Sequence, residues 1–398
     1  DSFSVNTYKP KFQLDYISGG AGVGLVGNNF GGMNGVAGGI NMLFSDMLGN
    51  HLLLGGLSLN GSWQDFGGQF AYLNQKRRIN WGAAVSHTPY SAGSLSYGGI
   101  DTLTTTQGTK LPVDKYYFDV YRTFESRADV FAYLPISQVN RVEAGTAFVR
   151  YSNMLERYTT YYYYGQAVAE ERTKLPSPEG FNVVQMNTAF VGDNSFFGVA
   201  SPLQGYRYRI GLEQYLGGLN FQTILADFRR YFWVKPVSIA FRAMHYARYG
   251  RDANQLTPLF IGNPMFVRGY SLNSLREEDI YNQNNISINQ VVGSKMLVGN
   301  IEVRLPLSGP ERLSLIPSRF FWTELALFAD GGTAFYNLAD FSANDTDLPV
   351  QTKPMPVFSA GVSLRINLFG ALVLEPYYAI PIQKETKGIF GFNIVPGW

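Results

Sequence analysis

Residue types that make and break bonds are scarce and scattered in this sequence. It has no cysteine and three histidines, which removes disulfides, thiolate nucleophiles and zinc–sulfur sites. His51, His87 and His245 fall in separate alternating segments, with no spacing that would gather them on a metal ion. No Ser-His-Asp set or paired carboxylates are arranged for acid–base chemistry. The run Gly19-Gly20-Ala21-Gly22-Val23-Gly24 superficially resembles a phosphate loop, but lacks the closing Lys-Ser/Thr and a following helix, so it is expected to be a plain loop. Tyr158 and Tyr161-Tyr162-Tyr163-Tyr164 could hold an extracellular ligand; a girdle or loop cluster accounts for them more simply. No catalytic residue, no metal site and no cofactor are expected, so the chain is not expected to be an enzyme. The polar residues left to carry function are full charges set into apolar patterns: Arg268 within Val267-Arg268-Gly269-Tyr270, and Glu302 and Asp330 on later alternating segments.

Composition says what kind of element positions them. Charged residues make up 16 % of the 398, against aromatics at 15 %, whereas soluble domains carry about 25 % charge. Mean hydropathy is nonetheless −0.07, and no stretch approaches the ~18 apolar residues of a membrane helix. Low charge, many aromatics and no helical span point to a barrel with lipid on one side and water on the other. The net charge of +2 is scattered, so nucleic acid is not implied. A cysteine-free chain suits an oxidising envelope. Asp1-Ser2-Phe3-Ser4 is no signal peptide, so the chain is expected to be a processed form or a part of a longer one.

Period-two alternation runs from end to end. Tyr206, Tyr208, Ile210 and Leu212 alternate with Arg207, Arg209, Gly211 and Glu213; Ile301, Val303 and Leu305 with Glu302, Arg304 and Pro306; Val362, Leu364 and Ile366 with Ser363, Arg365 and Asn367. Each segment thus has one apolar and one polar face. Strands are expected at 10–20, 34–47, 51–63, 66–75, 79–90, 117–135, 140–153, 181–193, 205–216, 220–233, 236–250, 292–306, 319–335, 355–367, 370–380 and 388–398. The fold expected is all-β: an antiparallel transmembrane β-barrel of about sixteen strands, an even number as bacterial barrels have. Tight turns such as Leu48-Gly49-Asn50 and Ser137-Gln138-Val139 alternate with long loops at 91–116, 154–180, 251–291 and 336–354, the periplasmic and extracellular sides of such a barrel. The segment 115–122 could extend the sixth strand above the membrane. The connection 194–204 is long for the short-turn side, and the sequence offers no reason. Residues 1–9 read as a short periplasmic segment and 10–398 as the barrel, with no second domain.

At Val267-Arg268-Gly269-Tyr270 the sequence resembles the BamA/TamA superfamily of outer-membrane assembly barrels, whose long sixth extracellular loop folds into the lumen and carries such a motif. Gly299-Asn300-Ile301-Glu302-Val303-Arg304-Leu305-Pro306-Leu307 and Ala326-Leu327-Phe328-Ala329-Asp330-Gly331-Gly332 resemble the two strands that follow. Glu302 lies on the polar face, and alternation against Leu325, Leu327 and Ala329 turns Asp330 inward. The resemblance implies that Arg268 locks the loop through Glu302 and Asp330; a buried guanidinium needs carboxylates to offset its desolvation. Phe390-Gly391-Phe392-Asn393-Ile394 before the final Trp398 resembles the family's last strand, and Phe12, Leu14 and Tyr16 its first. The resemblance further implies a lateral seam between them, comprising Phe12, Leu14, Tyr16, Gly388, Phe390, Gly391, Phe392 and Trp398. Its glycines and Pro396 either leave it poorly paired, an edge that can template an incoming strand, or merely permit curvature or a bulge.

The function implied is assistance to the insertion, assembly or translocation of proteins at the outer membrane of a Gram-negative bacterium. Partners would be the lipid bilayer, client outer-membrane proteins, and periplasmic or surface subunits; the family's periplasmic POTRA domains are not among these residues, and are expected to have been removed, to be absent from a barrel-only branch, or to be replaced by such a subunit. Two other readings stay open: a structural anchor or scaffold for such a partner, and a plugged passive pore.

Overall fold

The computed structural model describes residues 8, 10–23, 36–59, 63–104, 108–271, 275, 286–342, 353–368, 372–383 and 388–394, with the backbone alone for 18–23 and 36–39. Among these, regular structure is strand apart from 3-10 turns at 63–65, 288–290 and 338–341, and no helix is long and apolar enough to cross a membrane. The chain divides into two compact units, Asp1–Tyr133 with Gly145–Met186 and Tyr215–Leu219, and Leu134–Ala144 with Asn187–Gln214 and Asn220–Trp398.

In the first unit β1 (Phe12–Val23), β2 (Val36–Asp46), β3 (His51–Leu59), β4 (Phe66–Asn74), β5 (Asn80–Thr104) and β6 (Lys110–Pro135) form an antiparallel meander. β7 (Asn140–Tyr163) returns as β8 (Gln166–Leu175) through Tyr164 and Gly165, at φ 46° and 79°; such a two-residue left-handed turn matches the strand twist. The tyrosine run is therefore a strand end with a turn. Its rings pack locally, Tyr162 against Tyr116 and Tyr163 against Tyr164.

β9 (Phe181–Asp193) leads into the strands of the second unit. These are β10 (Phe196–Phe197), β11 (Pro202–Gly217), β12 (Phe221–Val234), β13 (Val237–Tyr249), β14 (Leu259–Phe260), β15 (Val292–Gly293), β16 (Lys295–Gly309), β17 (Ile316–Pro317), β18 (Trp322–Phe335), β19 (Val357–Leu368), β20 (Leu372–Pro381) and β21 (Ile389–Ile394). From β12 on, the long strands pair antiparallel with the next long strand: β12–β13–β16–β18–β19–β20–β21.

Sixteen strands match the expected segments one for one; β8, β10, β14, β15 and β17 are additional. Three expectations about loops are corrected: residues 19–23 of the glycine run, expected to be a plain loop, are strand at the end of β1, and Gly24 lies outside the described residues. Most of 91–116 is strand, since β5 runs to Thr104 and β6 begins at Lys110, so 115–122 is continuous with β6. Most of 154–180 is the β7–β8 hairpin. Both parts carry polar residues on both faces, so they lack the one-sided apolar pattern that marks a lipid-facing strand.

The distinguishing feature is which side chains are buried. On β16 the charged Glu302 and Arg304 are 0 % exposed, while their apolar neighbours Ile301 and Val303 are 47 % and 40 % exposed. β18, β19 and β20 repeat this, with Asp330, Arg365 and Glu375 buried and Leu327, Phe358 and Ile380 exposed. Water as the only solvent would penalise such an inversion; an apolar surround outside and paired charge inside accounts for it.

Candidate functional site

The described parts of the long connection 251–291, residues 251–271, 275 and 286–291, fold onto the polar face of the second unit instead of standing away from it. β14 and β15 pair and hold its two ends together. Asn263 starts a tight turn, accepting from the backbone N–H groups of Phe266 and Val267 at its carbonyl, 2.8 and 3.2 Å, and from Met265 N–H at its side chain, 3.0 Å. Strand side chains capture the turn's outward carbonyls: Arg242 Nη1 donates to Met265 O at 2.9 Å and Asn300 Nδ2 to Phe266 O at 2.7 Å. Val267 and Tyr270 are fully buried with Ile261, Met244, Met296 and Val298. The apolar half of the motif therefore anchors the loop and aims the arginine between them.

Arg268 is buried to 2 % exposure and uses its whole guanidinium. Nε and Nη2 grip Asp330 at 2.7 and 2.9 Å, Nη2 also reaches Glu302 Oε1 at 2.8 Å, and Nη1 reaches Glu375 Oε1 at 3.3 Å. Its flat face lies over the Phe328 ring, 3.5 Å from guanidinium carbon to centroid, a cation–π contact in a desolvated place. Gly269, at φ +95°, lets the chain leave Arg268 in a left-handed conformation against Ala379 of β20, where a side chain would be strained. The Tyr270 hydroxyl then donates to Gln383 Oε1 at 2.6 Å and lies 2.8 Å from the Phe358 carbonyl. The structure thus brings together Val267, Arg268, Gly269, Tyr270, Glu302 and Asp330.

The cluster is larger than the sequence suggested. Arg304 Nε donates to Glu302 Oε2 at 2.7 Å. Arg365 donates to Glu302, Glu324 and Glu375 at 2.8, 3.2 and 3.1 Å. Three guanidinium groups and four carboxylates are therefore buried together, and Glu302 accepts from all three arginines. Arg304 and Arg365 were on polar faces by alternation alone. Glu324 and Glu375 were missed, although Glu324 shares the parity of Asp330, and the outward Leu374 and Tyr378 turn Glu375 inward. Each of the four carboxylates is paired with at least one arginine, an arrangement that can hold a loop in one orientation.

The described seam residues that the resemblance implied fall on or beside one strand of each unit. Phe12, Leu14 and Tyr16 are exposed on β1, which pairs with β2 and is bulged between Leu14 and Tyr16. Phe390 and Phe392 are exposed on β21, a strand of six residues. Trp398, Pro396 and Gly397 lie outside the described residues. Gly391 of β21 and Gly388 just before it have a further reason: a Cβ on Gly391 would overlap the Tyr377 ring, and one on Gly388 the Tyr378 ring. Tyr377 in turn meets Phe328 edge-on at 6.4 Å, so Gly391 leaves room for the shelf on which Arg268 rests.

A family model described as the Omp85 superfamily domain matches residues 73–397. No curated protein is significantly similar in sequence. Among solved structures, the chain is similar to BamA from Haemophilus ducreyi lacking POTRA domains 1–3, with a TM-score of 0.55 at 14 % identity, over 96 % of this chain and 68 % of that one. CdiB from Acinetobacter baumannii and from Escherichia coli match at TM-scores of 0.47 and 0.46, each at 11 % identity, over 90 % and 98 % of this chain but only 56 % and 62 % of theirs. With its antiparallel strands, polar-in and apolar-out faces and a family match across most of its length, the chain belongs to the Omp85 superfamily and has the BamA-like fold of an outer-membrane β-barrel.

Proposed function

We propose that this barrel assists the insertion, assembly or translocation of proteins at the outer membrane of a Gram-negative bacterium, acting through a lateral seam between β1 and β21. The observation that carries the reading is the loop held by Arg268 against Glu302, Asp330 and Glu375. A loop fixed on the inward face narrows any passive path and leaves the strand edges as the place to act. In that role Arg268 is the lock of the loop. No cofactor or enzymatic step is required: a short final strand with Gly391 inside it offers an edge on which an incoming strand can form main-chain hydrogen bonds. Clients would be other outer-membrane proteins, with periplasmic or surface subunits delivering them.

The test is the folding rate of a denatured client barrel in liposomes with and without this protein. The absence of native cysteine allows a disulfide across the first and last strands, for example between Leu14→Cys and Phe392→Cys where their separation permits it. Acceleration that disappears when the seam is oxidised and returns on reduction is the expected result. No acceleration in either state would overturn the insertase reading and leave the scaffold reading, to be pursued through the subunit that co-purifies.

A further inference from the structure

The connection 194–204, unexplained by the sequence, does not stand away from the strands as a hairpin turn. It folds onto the polar face of the second unit, with Val199, Ala200, Ser201 and Leu203 all buried. The holding contacts are polar. Asn367 Nδ2 donates to Val199 O at 2.7 Å, Ser238 Oγ to Leu203 O at 2.9 Å and Arg304 Nη1 to Pro202 O at 3.3 Å, while Ser201 Oγ donates to Glu324 Oε1 at 2.6 Å. Ser238 opens β13, and Arg304, Glu324 and Asn367 lie toward the ends of β16, β18 and β19 away from the 251–291 loop. This insert therefore enters from the end opposite to that loop.

Two of its four partners belong to the cluster that holds Arg268. One path runs Pro202–Arg304–Glu302–Arg268 and the other Ser201–Glu324–Arg365–Glu375–Arg268. On β16 alone, Asn300 holds the loop and Arg304 holds the turn, four residues apart, or ~13 Å at the rise of a strand. Glu324 accepts from Ser201 and from Arg365 at the same oxygen, Oε1, and its buried Oε2 has no hydrogen-bond partner among the described residues. Removing Ser201 takes away one of the two hydrogen bonds at Glu324 Oε1 and leaves the one from Arg365; a guanidinium drawn further toward Glu324 has less hold on Glu302 and Glu375, the acids it has in common with Arg268.

We propose that the 194–204 connection is a second latch, coupled to the loop through this shared cluster, so that displacing either insert loosens the other. The inference rests on reading Arg268 as the lock of the loop. A strand or peptide that displaces the turn from the short-turn end would thereby release the loop at the far end, a coupling between two distinct sites through one buried two-sided contact.

Thiol protection in the purified, folded full chain tests this, with heat-modifiable gel mobility confirming that each variant is folded. Val267→Cys reports the loop and Ala200→Cys the turn, each by its rate of maleimide labelling. Arg268→Ala is expected to raise labelling of Ala200→Cys, and Ser201→Ala that of Val267→Cys, each by a factor of between about five and a hundred. If Arg268→Ala speeds labelling of Val267→Cys but not of Ala200→Cys, the inserts are independent and the coupling is overturned while the lock stands. If Arg268→Ala leaves Val267→Cys protected, the lock reading itself fails and the coupling with it. Should Arg268→Ala not fold, Ser201→Ala removes only a hydroxyl and carries the test: an unchanged rate at Val267→Cys alongside a faster one at Ala200→Cys overturns the proposal.

Discussion

Arg268 matters as a fork more than as a charge. Its three nitrogens reach three carboxylates while its face covers Phe328, a set of contacts that a lysine ammonium cannot reproduce. Truncating it leaves Asp330 with Asn300 Nδ2 as its one remaining side-chain partner among the bonds described, in a place where unpaired charge is costly. Arg268→Ala is expected to destabilise by about 3–5 kcal/mol, the range for breaking a buried pair, and Arg268→Lys by most of that. The temperature at which the folded gel band converts to the unfolded one measures both; an unchanged transition for Arg268→Ala would count against the lock. At this scale the sequence was legible where alternation and motif coincide, as at Arg268, Glu302 and Asp330. Phe328 was not legible, because an apolar ring on a polar face runs against the pattern. It is tolerated there because one side meets a guanidinium and an edge meets Tyr377.

At the scale of elements, β21 is tied to the lock through Gly391, Tyr377 and Phe328. A methyl group at Gly391 would force the Tyr377 ring aside, and overpacking of this kind typically costs about 1–3 kcal/mol. Gly391→Ala should therefore lower the unfolding midpoint, and the loss should shrink sharply in a Tyr377→Ala background, where the ring is gone. Equal losses in the two backgrounds would show that the glycine serves the backbone and not the ring. Element lengths show where sequence reading stops. The lipid-facing parts of β16, β18 and β19 were bounded to within a few residues because one face must be apolar. β5, β6 and β7 run to 25, 26 and 24 residues, yet from the sequence their parts at 91–104, 110–116 and 154–163 read as loop. A strand with water on both faces has no need of alternation, so its sequence gives no period to detect. The 194–204 turn escaped for a related reason: its burial rests on backbone carbonyls, which leave no mark in side-chain type.

At the scale of the molecule, each unit exposes an apolar face, and one end of the face of the first unit can be located on β5. Val85 and Leu95 point the same way, with no register shift between them, and are 53 % and 71 % exposed. Ten residues of strand separate them by ~34 Å, more than the ~25 Å height of an apolar band in such barrels. Between them Ser91 pairs with Arg122, whose guanidinium is buried against Asp65 and Glu156 at 3.0 and 2.7 Å. An ion group on that face marks where lipid gives way to water. In the second unit Leu327 is the equivalent lipid-facing residue, 61 % exposed between the buried Ala326 and Phe328. Val85→Arg and Leu327→Arg should each cost up to about 2–4 kcal/mol in vesicles, depending on depth, by placing a charge in hydrocarbon. Leu95→Arg, although the more exposed position, should stay within about 0.5 kcal/mol, as surface substitutions do. Urea unfolding of the three variants in lipid vesicles measures the differences. Equal losses at Val85 and Leu95 would mean that the distal halves of β5 and β6 lie in the bilayer, and that the ion group at Arg122 sits in lipid instead of at its edge.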